Sequence, residues 1–367
     1  MKILNVTSIT ELRGGDAQMY TVYNLLKDNN DLTQYILCPE NAALAEICKN
    51  DGANFFTYKK NALKLLNLVT AILKICRREK IDIIHIHDST ALNAGLIATH
   101  FLKKTTTLVL SRKRNNPIKD KFLNRYKYSH PKITKIVSVS KAVEAIFDNI
   151  IKDKSKLITI YDAIDVSFFV KNKSKNLIHK EFNLSVETKI VGNISALTGQ
   201  KDIFTFIDTA RKIIDKKPQD INVKFVVIGD GQQRKELNKH VISNNLQDEI
   251  IFMGYRNNVQ ELLPEFDIFL SSSLTEGLPL TIYEAFASKV SVVTTNAGGI
   301  REIVKNGVTG YISNLRDSES LANGVLKLLN DKEISNTIKE NAFNLVSENH
   351  DLNSMKKNYY SFYSSLK

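Results

Sequence analysis

Two carboxylates, Glu276 and Glu284, stand eight residues apart in the run SLTEGLPLTIYEAFASKVSVVTTNAGG, from Ser273 to Gly299. Gly277 and Pro279 break the chain between them, and LTIYEAFAS reads as a helix opening at Pro279. Glu276 then lies in the loop before the helix and Glu284 in its early turns. A helix N-terminus offers free N–H groups and the positive end of a dipole, a natural seat for phosphate. A carboxylate accepts two hydroxyl hydrogen bonds at once, which suits a sugar diol. The geometry fits a sugar joined to a phosphate. The plainer alternative is a capping acid at Glu276 and a solvated Glu284.

Other residues carry weaker signals. His85 and His87 close the strand-like run IDIIHIH. They share one face of an ideal strand, so the strand must bend or end for their roles to differ. Gly14 and Gly15 follow the first apolar run and would let the backbone approach a phosphate or an acceptor. Gly229 and Gly231, in GDGQQR, hold only two of the three glycines of a dinucleotide fingerprint and sit mid-chain. The bland counterparts are structural histidines and plain turns. No D-x-D, no histidine cluster at ligand spacing, no Walker A loop and no GxSxG elbow occurs, so no metal is expected.

The elements that must position these residues follow from pattern. A chain of 367 residues suits two domains. Its 43% hydrophobic and 25% charged residues are ordinary for globular proteins. No apolar run approaches the roughly 20 residues that span a bilayer, and MKILNVTSI reads as a first buried strand rather than a signal peptide. Cys38, Cys48 and Cys76 form no CxxC and read as reduced thiols of a cytoplasmic protein. Short β-type runs (KILNVTSI, QYILCP, IDIIHIH, TTLVLSR, KIVSVS, LITIYDAI) alternate with helical stretches, pause in a polar, Lys/Asn-rich stretch after Asp165, then resume as IVGNIS, VKFVVIG, EIIFMG, FDIFLS, SVVTT and GYIS. This βαβ rhythm predicts an α/β protein of two doubly wound Rossmann-like domains facing a cleft. The boundaries are residues 1–165 for an acceptor-binding domain, 166–350 for a nucleotide-sugar domain, and 351–367 for a helix packing back on the first. Of the net charge of +12, residues 1–170 carry most, with 26 Lys+Arg against 16 Asp+Glu. That bias points to an anionic partner, a membrane surface or an anionic glycan, or else to solvated basic faces. Nucleic acid has only the charge in its favour. YKKNALKLLNLVTAILKICRREK and SRKRNNPIKDKFLNRYKYSHPKITK are the densest basic stretches.

The run EGLPLTIYEAFASKVSVVTTNAGGIREIVKNGVTGYI resembles the signature of retaining GT-B glycosyltransferases of family 4, whose pattern is E-G-x-P/G-L-x-x-x-E-A-x-A, a strand, and a G-G-x-x-E-I/V-V loop. RGGDAQMYTVYNL, IDIIHIHDSTALNAG, VSVSKAVEAI, ITIYDAIDVSFF, VVIGDGQQRKEL and IIFMGYRNNVQELLPEFDIFLSSS extend the resemblance over nearly the whole chain. It implies that Glu284 grips the ribose hydroxyls of a nucleotide and that Glu276 contacts the donor sugar. Backbone groups of Gly277, Leu278, Pro279 and Leu280 would face the sugar or the distal phosphate. Lys201 would neutralise the diphosphate. His87 and Gly15 would also meet the donor, with Gly229 and Gly231 near the base. Asn193 stands where the family has an Arg, and Arg256 or Arg301 would supply the missing charge. Gly14 and Arg112 fall to the acceptor. Lys289 and Ala163 replace two usual glycines. The implied function is transfer of a hexose-type unit with retention, from a nucleotide sugar (UDP favoured) to a glycan or lipid-linked glycan in bacterial surface polysaccharide synthesis. Lys201 and helix N-termini would act in place of a metal. A nucleotide-sugar epimerase, or a non-catalytic nucleotide-sugar-binding partner in a glycan-assembly complex, are the alternatives.

Overall fold

The computed structural model describes residues 1–12, 14–103, 106–172 and 174–366; Arg13, ahead of the glycine pair, and Lys173, in the expected linker, lie outside the described residues. The chain divides into two compact units, residues 1–162 with 355–367, and residues 163–354. The first holds strands β1 (Lys2–Val6), β2 (Thr33–Pro39), β3 (Phe55–Tyr58), β4 (Ile83–Ile86), β5 (Thr107–Arg112), β6 (Ile133–Ser138) and β7 (Leu157–Thr159). They form one sheet in the order β3-β2-β1-β4-β5-β6-β7. The second holds β8 (Lys189–Ile194), β9 (Val223–Ile228), β10 (Ile250–Gly254), β11 (Ile268–Ser271), β12 (Ser291–Thr295) and β13 (Tyr311–Ser313), ordered β10-β9-β8-β11-β12-β13. All pairings within both sheets are parallel. Central strands covered by helices on both faces bury every residue, as β4 and β12 do, which is why their sequences read as continuous apolar or small-residue runs rather than alternations.

In each sheet the strand order reverses once, between β1 and β4 and between β8 and β11. At such a reversal the loops leaving neighbouring strands diverge to opposite faces and open a crevice at the carboxyl ends, where doubly wound sheets take ligands.

Two elements depart from expectation. β3, FFTY, is a four-residue edge strand, too short for its pattern to stand out. The stretch expected as a linker after Asp165 contains two short helices, Val166–Lys171 and Leu177–Glu181. Asp165 caps the first, accepting from Phe168 N at 3.1 Å. The second is capped from 88 residues away, buried Glu265 accepting from Leu177 N and Ile178 N at 2.5 and 2.8 Å. Carboxylates at helix N-termini satisfy orphan amides and the dipole together, and no local pattern announces a cap so remote. The first basic stretch forms a sheet-covering helix, Lys64–Glu79, with Leu68, Val69, Ile72, Ile75 and Cys76 turned inward.

The helix Leu352–Ser364 begins in the second unit and belongs to the first from Met355 onward. Its Tyr363 is fully buried, with its hydroxyl 2.7 Å from Nδ1 of His85, while Ser111 Oγ lies 2.8 Å from Nε2. Removing one partner of a buried hydrogen bond leaves the other unsatisfied, at a cost of about 1–3 kcal/mol. Tyr363→Phe should therefore destabilise the first unit by that amount in chemical denaturation and leave the second unit's transition in place, since Tyr363 makes its hydrogen bond within the first.

Candidate functional site

In the first unit a cavity of about 400 Å³ opens at the carboxyl ends of β1, β4 and β5, and Gly14, Gly15, His87 and Arg112 all line it. The structure brings together there the four residues expected on this side. Gly14 and Gly15 are the first residues of the helix Gly14–Leu26, three residues earlier than the expected start at Ala17. A Cβ on Gly15 would meet the Lys113 stem at 3.5 Å, ordinary contact, so space alone does not demand glycine there.

β4 ends at Ile86, so His87 steps out of the strand that holds His85. The two rings lie 4.4 Å apart. His85 is fully buried, whereas His87 is half-buried at the cavity, its Nε2 3.2 Å from Asn5 Oδ1. Burial holds both imidazoles neutral: His85 is pulled down to about 3, and His87, beside His85 and Lys113, well below its ordinary value. The end of the strand thus separates a structural histidine from one that meets the cavity.

Asp88, not singled out from sequence, follows directly. Its carboxylate accepts from Ser8 N at 2.5 Å, Ser8 Oγ at 2.7 Å, Thr90 N at 2.8 Å and Ala91 N at 2.9 Å. It caps the helix Ser89–Thr99 and ties the loop after β1 to the chain after β4. The D-S-T pattern behind the histidine is an N-cap signal that would have found it. Arg112 donates to the main-chain oxygens of Arg114 and Asn116 at 3.0 and 2.7 Å, and Lys113 pairs with buried Asp162. No sequence spacing signals the Lys113–Asp162 pair.

In the second unit, Lys201 Nζ lies 2.6 Å from Glu276 Oε1, with the side chains 25% and 9% exposed. The pair forms because β8 and β11 are neighbours and the loops that follow them are stitched together. Leu274 N donates to Gln200 O at 2.8 Å, Gln200 Nε2 to Thr275 O at 2.8 Å, and Ser272 Oγ to Asp202 O at 2.8 Å. Gly299, in the double-glycine loop, donates its amide to Glu276 O at 3.4 Å. Gly277, buried Leu278 and Pro279 then lead into the helix Leu280–Ala287, where Pro279 gives no side-chain cap. Among the described residues, nothing engages the amides of Leu278 and Leu280.

Glu284 is half-buried on that helix and has no hydrogen-bond or ion-pair partner among the described residues. Burial alone raises its carboxyl to about 7. The other donor-side candidates divide. Gly229 has φ +133°, and a Cβ there would stand 1.9 Å from Ser195 O; one on Gly231 would stand 2.5 Å from Leu197 O. These glycines admit the loop after β8 against the loop after β9. Asn193 is buried, donating to Leu270 O and accepting from Ser195 Oγ, each at 2.7 Å, so its amide is committed inside the unit. Arg256 pairs with Glu181, and Arg301 is exposed on the short helix Ile300–Ile303. Lys289 has φ +54°, which accounts for a preference for glycine at this position. Here the lysine pairs with Glu340 at 2.6 Å and lies over the Phe343 ring.

The raised carboxyl carries a definite sign. The folded chain holds the Glu284 proton to higher pH than the unfolded chain, so this group's contribution to stability falls as pH rises from about 4.5 towards 7. Glu284→Gln should be more stable than the parent above pH 7, by about 1–3 kcal/mol after solvent screening. The two should converge below about pH 4.5, the ordinary value for a glutamate. Denaturation at both pH values checks it.

Residues 174–345 match the model for glycosyl transferases group 1, and residues 24–168 match that for glycosyltransferase family 4. The chain is similar to the UDP-Gal:alpha-D-GlcNAc-diphosphoundecaprenol alpha-1,3-galactosyltransferase of Escherichia coli, 24% identical over 333 residues, 87% of this chain and 86% of that one. It is 26% identical to the N-acetyl-alpha-D-glucosaminyl L-malate synthase of Bacillus anthracis over 262 residues, 70% of this chain and 68% of the relative. Among solved structures, Anabaena Alr3699/HepE in complex with UDP superposes with a TM-score of 0.86 at 20% identity, over 100% of both chains. The strand orders, the paired loops and both family matches lead to one assignment: the chain belongs to the GT-B glycosyltransferases, its first unit of the family 4 type and its second of the group 1 type.

Proposed function

We propose that the protein transfers a hexose-type sugar with retention of configuration from a nucleotide sugar, a UDP-sugar in the first instance, to a glycan or lipid-linked glycan acceptor. The observation that carries this reading is the Lys201–Glu276 pair in the loops after β8 and β11, together with the unpartnered Glu284 on the helix Leu280–Ala287. Glu284 can accept both ribose hydroxyls. Lys201 and the amides of Leu278 and Leu280 present positive charge and donors to a diphosphate. Support also comes from relatives: one is named for UDP-Gal and a diphosphoundecaprenol-linked acceptor, and a structural neighbour was solved with UDP-glucose.

The chemistry follows from charge. The bond from the sugar anomeric carbon to the diphosphate oxygen breaks, and an acceptor hydroxyl oxygen forms the new bond on the same face. Its proton passes to the departing phosphate oxygen. Negative charge grows on the leaving diphosphate, and Lys201 with the nearby amides stabilises it where it develops. Glu276 keeps Lys201 oriented in the absence of donor and contacts the sugar when donor is bound. The neutral His87 accepts or donates a hydrogen bond without adding charge. We place the enzyme in the cytoplasm, consistent with three free, buried cysteines, and propose that it needs no metal; the described residues form no metal-ligating group of three or more.

Lys201→Ala should lower transfer by roughly 100- to 1000-fold and weaken UDP binding, the range for losing one charge-stabilising group. Transfer from a panel of UDP-sugars, followed by NMR of the product, checks both substrate and anomeric configuration. An inverted product would overturn retention, and epimerised donor with no acceptor consumed would make the protein an epimerase. Activity should survive EDTA; its loss on chelation and recovery with Mg²⁺ would refute the metal-free account.

A further inference from the structure

The second basic stretch of the first unit contains the short helix Phe122–Tyr128, whose only buried residue is Tyr128, packed edge-to-face on Phe147. On the same helix Phe122, Leu123 and Tyr126 are 80%, 75% and 63% exposed. Positions i, i+1 and i+4 lie on one side of a helix, so the three form a single apolar face. Leaving large apolar side chains in water forgoes the free energy that burial would give each. The face continues through ring contacts, Tyr126 to His130 at 5.7 Å and His130 to His100 at 5.6 Å, and His100 adjoins Phe101, which is 64% exposed.

Positive charge surrounds this face. Residues 114–135 hold seven Lys or Arg and one acid, Asp120, which is taken up by Arg125 at 2.5 and 2.7 Å. Beside the helix a groove of about 470 Å³ has Ile150 and Ile151 among its lining, with three cations, Arg125, Lys152 and Lys156, against one acid, Asp153. The apolar side chains call for hydrocarbon and the cations call for anions. A soluble polyanion would leave Phe122 and Leu123 bare, and a neutral apolar partner would leave the cations uncompensated. An anionic phospholipid surface answers both. No helix among the described residues is long and apolar enough to cross a membrane, so the contact would be made at the surface.

We propose that this face of the first unit docks on an anionic phospholipid bilayer, with Phe122 and Leu123 entering the boundary between headgroups and acyl chains and the surrounding Lys and Arg side chains resting on the phosphates. The proposal stands apart from the identity of donor and acceptor.

The chain contains no tryptophan, so one introduced residue reports alone. In the full-length protein, emission from Leu123→Trp should shift to shorter wavelength on adding vesicles containing phosphatidylglycerol at low salt. It should not shift with pure phosphatidylcholine, and the shift should shrink at high salt as screening shortens the reach of the charges. Trp placed at Val186, a 72% exposed position in the second unit, should not shift. In vesicle sedimentation the double variant Phe122→Ser, Leu123→Ser should bind about tenfold or more weakly, given the hydrocarbon removed. Its melting should be unchanged, because both positions are exposed. No shift with anionic vesicles at low salt, equal shifts at both Trp positions, or undiminished binding by the double variant would each overturn the proposal. So would a shift that appears without vesicles and grows with protein concentration, since a second copy of the chain would then cover the face.

Discussion

Everything assigned to the second unit rests on one ion pair, Lys201 to Glu276, made by residues 75 positions apart. Neither the cation nor the carboxylate finds the other through local structure. They meet because the strand order reverses between β8 and β11, which places the loops after those strands next to each other. A half-buried ion pair recovers its desolvation cost only when its geometry is well held. Here the holding is done by neutral groups: the side chains of Gln200 and Ser272 donate to the main-chain oxygens of Thr275 and Asp202, and the Gly299 amide donates to that of Glu276. The charges are therefore delivered to a prepared position rather than left to find one, and a site that must act on a growing negative charge needs that preparation.

The first unit applies the same constraint with different chemistry. At its own reversal, between β1 and β4, a single carboxylate, Asp88, joins the two sides through four hydrogen bonds. Its charge is spent on amides and a hydroxyl, and the adjoining cavity has neutral His87, two helix-opening glycines and Arg112 among its lining. The two reversals thus differ in what they leave available: a carboxylate without a partner at Glu284, and a neutral ring at His87.

Much of this was legible in the sequence because it is written in local pattern. The six strands of the second sheet and six of the seven in the first announce themselves as short apolar runs between helices, with Lys201 and Glu276 in the loops that follow two of them and Glu284 on the next helix. What escaped was set by contacts distant in sequence. Glu265 caps a helix begun at Leu177, so the segment read as a linker is in part helical. Asp162 pairs with Lys113, and Tyr363 completes the environment of His85 from the far end of the chain. The histidines show the boundary well. Their spacing put them on one face, but only the end of β4 at Ile86 decides which is enclosed and which meets a cavity.

The return of the helix Leu352–Ser364 to the first unit bears on how the chain is made. Translation delivers residues 1–162 first, yet Tyr359 and Tyr363, buried in that same unit, follow the whole of the second unit in chain order. While the ribosome works through residues 163–354, the His85 ring of the first unit lacks the Tyr363 hydroxyl that meets its Nδ1. Domains of nascent chains ordinarily complete themselves in order of emergence. Here every residue of the second unit is delivered before the helix that completes the first.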